Sequence, residues 1–414
     1  MSVSEEQIVD DPVVGRASAG PAAKKARVGL LWKSENLGLY ANADFESLFS
    51  GVGRNTGNLA FAYAVASHIR NPFTYMGWNT PAETLRKKAD ILVIPCANQL
   101  GKHSELGSFG QTLREAGLPI VAIGLGAQAS DYEADVELSE GTLDWLRVIG
   151  AHRGNAPNNI YARGPYSRDQ IGKLGLGGAM VGGCPSYFIN PRINLGRRIQ
   201  SRWRSGGLPR SISVAAGHQS WPQVRTIEHQ LVSLMMDPVA PGQYVVQSMG
   251  DMLKLAREET ATIDPAVLER LRKHIVPHYT REEFPAWCRN YARAYFDVPS
   301  WMDSLRRHDL TVGPRYHGTA LALQAERMGL AITIDSRTRE LCEQTSVPHI
   351  AASDLVGPLT RTTLREMIDF DGDRYDAHRR QAAGAYVDFL EANGIIPAPF
   401  LTKLALSAPA AAGD

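Results

Sequence analysis

Residues 312–335 read VGPRYHGTALALQAERMGLAITID and predict a strand, a tight turn, a helix and a second strand in succession. The Gly313-Pro314 pair ends the first strand, because proline cannot continue the hydrogen-bond ladder. An Ala- and Leu-rich helix is then expected over residues 319–328, with Gly329 as its stop. This order is typical of α/β folds, in which helices cover parallel strands on both faces.

The same alternation of apolar runs and helical patterns extends outward along the 414-residue chain in two blocks. The first block predicts strands at 28–32, 91–95, 120–124, 160–162 and 180–182, and the second predicts strands at 211–215, 244–247, 310–313 and 331–334. We therefore predict an α/β fold of two Rossmann-like, doubly wound domains. A ligand cleft is expected between the carboxyl ends of their sheets.

Changes in composition define the predicted domain boundaries. They are a mobile leader (1–26), an N-terminal domain (27–195), a linker dense in Arg, Gly and Ser (196–210), a C-terminal domain (211–372), a helical segment (373–406) and a disordered tail (407–414). The sequence leaves open which domain the helical segment packs against.

The overall charge is balanced, with 44 Lys and Arg against 43 Asp and Glu, which argues against a general nucleic-acid binder. No apolar run reaches the length of about 18 residues that indicates a spanning helix, and the acidic N-terminus lacks the pattern of a secretory signal. Four scattered cysteines without a C-x-x-C pair argue against a zinc site or a disulfide framework. We expect a cytoplasmic protein; peripheral contact with the inner membrane and homo-oligomer formation stay open.

Arg315 and His317 lie where the first strand of the opening motif ends and its helix begins. Free backbone N–H groups and the helix dipole favour an anion at such a position. A guanidinium adds a bidentate clamp for phosphate or carboxylate, and an imidazole can transfer protons near neutral pH. The alternative is structural: the arginine caps a carbonyl and the histidine is a satisfied turn residue.

Further arginines follow other predicted strands. Arg163 comes directly after the strand 160–162, and Ser167 is expected to cap the next helix. Arg337 and Arg339 follow the strand 331–334, and the sequence leaves open which of them would face the cleft. Arginines at equivalent points of two domains suit a small dianion or trianion.

A glycine-rich loop, GVGRNTGN at residues 51–58, leads into a predicted helix. Such a loop can hold an anion or the hydroxyls of a sugar. It matches neither a P-loop nor a dinucleotide fingerprint. No cluster of metal ligands is evident, so we expect no metal.

Together these motifs resemble the polysaccharide pyruvyl transferase family over about residues 28 to 350. One matching block is Arg315-Tyr316-His317-Gly318 with its helix, Gly329, the following strand, Asp335 and Arg337. The other runs from Ala162-Arg163-Gly-Pro-Tyr-Ser167 through Lys173-Leu-Gly175 to Gly183-Cys184-Pro185-Ser186.

The resemblance implies a GT-B-like fold and a reaction in the interdomain cleft. Phosphoenolpyruvate would be the donor and co-substrate, with no further cofactor, and a sugar or glycan would receive a cyclic pyruvate ketal across two hydroxyls. The resemblance assigns catalysis to His317, donor binding to Arg163, Arg315, Tyr316 and Arg337, and acceptor binding to Asn55 and Asn58.

Two departures from the family pattern bear on the acceptor. Asn58 stands where family members often have an aspartate, and Cys184-Pro185 replaces a frequent Asp-Pro. Either change is consistent with a divergent subgroup that uses another acceptor.

Two other classes of function stay open. One is a GT-B glycosyltransferase with a nucleotide-sugar donor, which would need an acidic ribose-binding residue. Glu326 lies within the predicted helix and fits that role poorly, whereas Asp335 fits it better. The other is a non-catalytic relative that binds a glycan or a metabolite.

Overall fold

The computed structural model describes residues 25–32, 44–129, 134–218 and 221–407. The predicted leader, except its last two residues, and the tail beyond residue 407 lie outside these ranges.

The N-terminal domain is built on a parallel sheet of six strands in the order β2-β1-β3-β4-β5-β6. The strands are β1 (Val28–Leu30), β2 (Phe73–Tyr75), β3 (Ile91–Pro95), β4 (Ile120–Leu125), β5 (Ile160–Ala162) and β6 (Ala179–Val181). The helices are α1 (Phe45–Gly51), α2 (Asn58–His68), α3 (Ala82–Lys88), α4 (Gly107–Ala116), α5 (Glu140–Ala151) and α6 (Pro165–Lys173), followed by a 3₁₀ turn at Pro185–Phe188.

The C-terminal domain contains a second parallel six-stranded sheet in the order β12-β11-β10-β7-β8-β9. Its strands are β7 (Ile212–Ala215), β8 (Gln243–Val245), β9 (Ala292–Arg293), β10 (Leu310–Gly313), β11 (Met328–Thr333) and β12 (His349–Ala351). Its helices are α8 (Pro222–Met235), α9 (Gly250–Ala256), α10 (Pro265–Ile275), α11 (Phe284–Tyr291), α12 (Val298–Leu305), α13 (Tyr316–Gln324), α14 (Ser336–Gln344) and α15 (Arg361–Glu366), with 3₁₀ turns at Thr260–Thr262 and Ala352–Asp354. Helix α7 (Leu195–Ser205) precedes this domain, and α16 (Gly372–Ala392) and α17 (Pro399–Leu406) follow it.

This topology confirms the predicted class of two doubly wound, Rossmann-like domains. Every residue of β3 and β4 is buried, as expected for central strands covered on both faces. The strand order reverses between β1 and β3 in the first sheet and between β7 and β10 in the second. Crevices for ligands form at such switch points, at the carboxyl ends of the strands.

The helix expected over residues 319–328 is shifted in the structure. Helix α13 begins at Tyr316 and ends at Gln324, and Gly329 belongs to strand β11. A Cβ at Gly329 would lie 2.4 Å from the carbonyl oxygen of Thr319. The glycine therefore allows β11 to pass close beneath α13, which is a packing role and not a helix stop.

Three strands escaped the sequence analysis. Strands β2, β9 and β12 have only two or three residues each and are not fully buried, so they lack the continuous apolar run that marked other short strands such as β5. Strand β9 also follows directly after helix α11, which ends at Tyr291.

The segment interpreted as a linker is largely helical. Helix α7 covers most of it, because the carboxylate of Asp376 accepts hydrogen bonds from the first backbone N–H groups of that helix, at Gly196 (2.6 Å) and Arg197 (3.1 Å). This partner lies 180 residues away in the sequence, so its effect was not visible there.

The C-terminal helical segment returns to the N-terminal domain. On α16, the ring of Tyr386 stacks on Phe188 at 5.5 Å and contacts Tyr161 at 4.9 Å between ring centroids. Asn393, just after the helix, donates a hydrogen bond to the carbonyl of Asn158 (2.8 Å). The C-terminal helical segment therefore packs against the N-terminal domain. It also contacts α7, the helix that leads into the C-terminal domain.

Arg379 of α16 is fully buried and donates to the backbone carbonyls of Tyr187 (3.1 Å), Arg192 (2.6 Å) and Asn190. We predict that Arg379→Ala lowers the free energy of unfolding by about 3 kcal/mol, because it leaves these carbonyls without a donor. Arg374→Ala, an exposed position on the same helix, is the control. Equal denaturation midpoints for the two variants would contradict the prediction.

Candidate active site in the interdomain cleft

Arg163 follows β5 and lies along the carboxyl edge of the first sheet. Its Nε donates to the carbonyl of Gly124 (2.8 Å), and only 2% of the residue is exposed. A Cβ at Gly126 would lie 2.5 Å from the Arg163 side chain. Gly126, just after β4, therefore makes room for the Arg163 side chain. Burial, and secondarily the positive charge of Arg337, lower the pKa of Arg163.

Arg315 lies at the switch point of the second sheet, directly after β10. Its guanidinium stacks over the ring of Trp221 at 4.5 Å and donates from Nη2 to the hydroxyl of Ser248, while its buried Nε has no partner among the described residues. Burial, followed by the charge of Arg337, lowers the pKa of Arg315 to about 10, so the group stays charged at neutral pH. A charged donor without a partner is suited to an incoming anion.

The structure separates Arg337 from Arg339. Arg337 is largely buried, its Nη2 lies 3.5 Å from a carboxylate oxygen of Asp335, and its Nε has no partner among the described residues. Arg339 is exposed and pairs with Glu343 one turn later on α14 (2.8 Å). Of the two, Arg337 is therefore the arginine that lies with Arg163 and Arg315.

His317 occupies the first turn of α13, half-buried between the domains. Its ring lies 5.8 Å from Phe61 of the N-terminal domain, between centroids. Burial, and then the positive charges of Arg163 and Arg337, lower the pKa of His317 well below its ordinary value. The imidazole is therefore neutral at neutral pH and has the hydrogen-bonding capacity of a proton acceptor.

Cys184 is the nearest polar neighbour of the His317 Nε2 atom, at 3.5 Å from its sulfur. The thiol is fully buried, accepts a hydrogen bond from the hydroxyl of Ser186 (3.1 Å), and has its pKa raised chiefly by burial. It is therefore neutral. The histidine thus contacts a neutral thiol at the position where the family pattern often places a carboxylate.

Tyr316 follows Arg315 as the first residue of α13. Its hydroxyl forms a hydrogen bond with the hydroxyl of Thr345 (2.9 Å), and the side chain is buried. Its ring packs edge-on against the neighbouring His317 ring at 5.1 Å. The structure therefore gives Tyr316 a place beside the histidine, with its hydroxyl already paired.

The loop that carries Asn55 and Asn58 closes one end of the cleft. The side chain of Asn55 accepts from the backbone N–H of Gly57 (2.9 Å), and Asn58 donates to the carbonyls of Val52 (3.1 Å) and Gly53 (3.3 Å). The amides thus fix the loop conformation and also line the adjoining cavity. The same loop touches the second domain, since the Thr56 N–H donates to the carbonyl of Gln247 (2.7 Å).

A cavity of about 730 Å³ opens beside this loop, at the switch point between β1 and β3. Its wall combines aromatic rings with amide side chains and hydroxyls. The residues include Trp32, Phe61, Trp78, Asn55, Asn58, Asn79, Asn98, Gln99 and Ser104, with His103 and Glu105 at the far side. Phe61 belongs to this wall and also contacts His317, so the cavity adjoins the arginine cluster.

Sequence reasoning missed the supporting residues. Trp221 and Ser248 hold Arg315, and Gln247 lies between Gly57 and Gly318 with its Nε2 buried and unpartnered among the described residues. Gln247 and Ser248 follow strand β8, and that position at a carboxyl edge was a usable signal. Trp221 carried no comparable signal.

Ser167 does not cap α6 as expected. The N-cap position is Gly164, and Ser167 is the third residue of the helix. Its backbone N–H and its hydroxyl both donate to the carboxyl group of Glu340 on α14 of the other domain, at 2.8 and 2.7 Å. The long sequence separation hid this contact.

Two features are absent from the part of the chain that the structure describes. No group of three or more His, Cys, Asp or Glu side chains in residues 25–32, 44–129, 134–218 and 221–407 is arranged to hold a metal ion. In those same ranges, no helix has both the length and the apolar character needed to cross a bilayer.

Fold and site together define a two-domain α/β protein with an arginine-rich cleft beside a polar and aromatic cavity. A model of the family "Polysaccharide pyruvyl transferase" matches residues 55–336, more than half of the chain. The chain therefore belongs to the polysaccharide pyruvyl transferase family, a family of transferases. No curated protein matches its sequence.

Among solved structures, similar chains include three sugar-nucleotide proteins. A putative UDP-N-acetylglucosamine 2-epimerase from Listeria monocytogenes has 12% sequence identity and a TM-score of 0.43, and the match covers 89% of this chain and 97% of that one. The Neisseria meningitidis UDP-GlcNAc 2-epimerase bound to UDP-GlcNAc has 8% identity and a TM-score of 0.40, with 88% of this chain and 99% of that chain covered. The Anabaena protein Alr3699/HepE in complex with UDP-glucose has 12% identity and a TM-score of 0.41, with 92% of this chain and 98% of that chain covered. These are similarities of chain path at low identity.

The positive charge of Arg337 is one cause of the low pKa of His317. Arg337→Gln removes a nearby cation that disfavours the imidazolium form, so the pKa of His317 should rise toward its ordinary value. An NMR pH titration measures this, with the resonance assigned by its loss in His317→Gln. Arg339→Gln, two residues away but exposed and paired with Glu343, should leave the titration unchanged. Identical titrations in both variants would rule out the proposed influence of Arg337.

Proposed function

We propose that the protein transfers the carboxyethylidene group of phosphoenolpyruvate to two hydroxyls of a sugar in a glycan or glycan precursor. The observation that carries this proposal is that Arg163 and Arg337, from different domains, act on one imidazole, that of His317, with Arg315 two residues before it and close to Arg337. Phosphoenolpyruvate has a phosphate and a carboxylate on one small enol, a charge distribution that suits several guanidinium groups.

The arginines bind the donor and stabilise the leaving group in this proposal. Arg315 and Arg337 each have a guanidinium nitrogen without a partner among the described residues, and both belong to the C-terminal domain. Arg163 approaches from the other domain. Fixed positive charge in a buried site stabilises the phosphate as it departs, because little solvent reorganisation is required.

His317 handles protons in two steps. Its imidazolium protonates the methylene carbon of the donor, which makes C2 electrophilic, and a first sugar hydroxyl adds to C2 while giving its proton back to the imidazole. A second hydroxyl then displaces phosphate from C2 and closes the ketal, and its proton leaves on the phosphate. The products are the cyclic ketal and inorganic phosphate, and atoms and charges balance.

The donor itself supplies the conditions for the first step. In the empty site, burial and two arginines hold the pKa of His317 low. A phosphate and a carboxylate placed among those arginines compensate their charge, and this raises the pKa of the histidine. Donor binding therefore favours the imidazolium that the reaction needs.

The cavity next to the arginines suits the sugar acceptor. Apolar faces of sugar rings pack on aromatic side chains such as Trp32 and Trp78, while amides such as Asn98 hydrogen-bond hydroxyl groups. Phe61 lines this cavity and its ring centroid lies 5.8 Å from that of His317, so an acceptor in the cavity would bind next to the proton-transferring residue.

The nucleotide-sugar alternative has less support from this geometry. Asp335, its candidate ribose ligand, accepts the N–H of Thr338 as the N-cap of α14 (2.8 Å) and pairs with Arg337. Glu326 is surrounded by Arg192, Arg198 and Arg202, outside the arginine cluster of the cleft.

Phosphate release from phosphoenolpyruvate, assayed with a panel of glycan precursors, tests the proposal. We expect release that depends on the acceptor, with the ketal detected in the product by mass spectrometry. Thermal stabilisation by nucleotide-sugars and not by phosphoenolpyruvate would favour a glycosyltransferase. Binding of phosphoenolpyruvate without turnover on any acceptor would favour the non-catalytic relative.

Binding and catalysis should separate between two variants. His317→Ala should lower turnover by about 10²- to 10⁴-fold yet keep most of the donor affinity. Arg163→Ala should chiefly weaken donor binding, by about 1.5–3 kcal/mol, because it removes a charge-assisted contact. Calorimetric titration of phosphoenolpyruvate measures both affinities, with Arg168→Ala, an exposed arginine of α6, as the control. Full turnover in the histidine variant would remove it from the mechanism.

Donor binding should also take up protons. Because binding raises the pKa of His317, the wild-type protein should absorb more protons per bound phosphoenolpyruvate than His317→Ala, and its affinity should fall as pH rises through the pKa of the complex. Calorimetry in buffers of different ionisation enthalpy gives the proton count. Equal counts for the two proteins would show that His317 keeps its charge state.

A further inference from the structure

Glu340 of α14 is buried in the boundary between the domains, with only 1% of the residue exposed. Its two carboxyl oxygens accept the backbone N–H and the hydroxyl of Ser167. That hydroxyl in turn accepts the N–H of Ala127 (2.9 Å), which lies just after β4. One side chain of the C-terminal domain is thereby tied to two segments of the N-terminal domain.

The first turn of α6 is shaped to receive this carboxyl group. A helix N-terminus presents free N–H groups and favours negative charge. The N-cap, Gly164, has extended backbone and no side chain, and a Cβ there would lie only 2.2 Å from Cγ of Glu340. A larger residue at position 164 would therefore displace Glu340.

Both elements joined by this contact carry an arginine of the donor site. Arg163 directly precedes the Gly164 turn, and Arg337 lies one helical turn before Glu340 on α14. The charge of Arg337 lowers the pKa of Arg163, so the two guanidinium groups are close enough to repel each other. The two like charges are carried at the start of α6 and on α14, and the bonds between Glu340 and Ser167 join these same two helices against that repulsion.

We propose that Glu340 is a positioning residue, which holds Arg337 of one domain at the correct distance from Arg163 of the other before the donor binds. This role rests on the proposed function, in which these arginines bind one phosphoenolpyruvate. A second hydrogen bond also joins α14 to the N-terminal domain: the hydroxyl of Ser336, at the start of the helix, donates to the carbonyl of Ala129 (3.1 Å).

The variant Glu340→Ala tests this positioning role through the KM for phosphoenolpyruvate and through kcat. We expect the KM for phosphoenolpyruvate to rise by about tenfold or more, because a charge-assisted contact is lost and the donor must then bring the arginines together itself. At saturating donor, kcat should change by less than about threefold, since the bound anion supplies the attraction. The KM for the acceptor should stay unchanged, because its cavity lies within the N-terminal domain.

Three further variants separate positioning from a general effect on folding. Glu340→Gln keeps an oxygen for the Ser167 N–H and should restore part of the donor affinity. Gly164→Ala leaves every charge in place and should reproduce the Glu340→Ala result by displacing the carboxyl group. Glu343→Ala, an exposed glutamate of the same helix, should behave as wild type.

The outcomes distinguish this proposal from the proposed function. If the wild-type protein neither binds nor consumes phosphoenolpyruvate, the proposed function is wrong, and small-angle scattering of the protein without donor then tests whether Glu340 holds the two domains together. A larger radius of gyration in Glu340→Ala than in Glu343→Ala supports that role of Glu340, and identical radii overturn it. With an active enzyme, equal increases of donor and acceptor KM, or a lowered melting temperature with unchanged KM, overturn the positioning role.

Discussion

The burial of two arginines, Arg163 and Arg315, close to the charge of Arg337 is the constraint on which the candidate site depends. Arg163 is held by backbone carbonyls of the first sheet, and Arg315 by a tryptophan ring and a serine hydroxyl. These partners are neutral, so they orient the arginines without cancelling their charge. Positive charge therefore stays in the cleft, where it adds to burial in lowering the pKa of His317, and one guanidinium nitrogen each of Arg315 and Arg337 has no partner among the described residues.

How much the sequence could predict depended on the distance between interacting residues. Arg315 and His317 were predictable because the Gly-Pro pair ends a strand and so places them at a carboxyl edge, and the fold class followed from the same local pattern. Glu340 was not, since its partner Ser167 lies 173 residues away in the sequence, whereas Gln247 gave a local signal only through its position after strand β8. The same reason explains why the arginine-rich residues 196–210 were interpreted as a linker: the carboxylate that stabilises that helix belongs to α16.

The thiol of Cys184 changes the chemistry available to the histidine. A carboxylate beside an imidazole stabilises its charged form and raises its pKa, whereas a buried neutral thiol contributes little charge. In this protein the histidine faces positive groups on one side and a neutral sulfur on the other. Under the proposed function, its protonation state therefore depends on the charge of the bound donor.

The two chain segments that cross between the domains meet at a pair of glycines. A Cβ at Gly196 of α7 would lie 2.3 Å from the carbonyl oxygen of Gly372, at the start of α16. Because α7 and α16 approach each other to backbone contact there, the two crossings form one joint between the domains. A side chain at either glycine would push α7 away from α16, and the first turn of α7 would lose its bonds to Asp376.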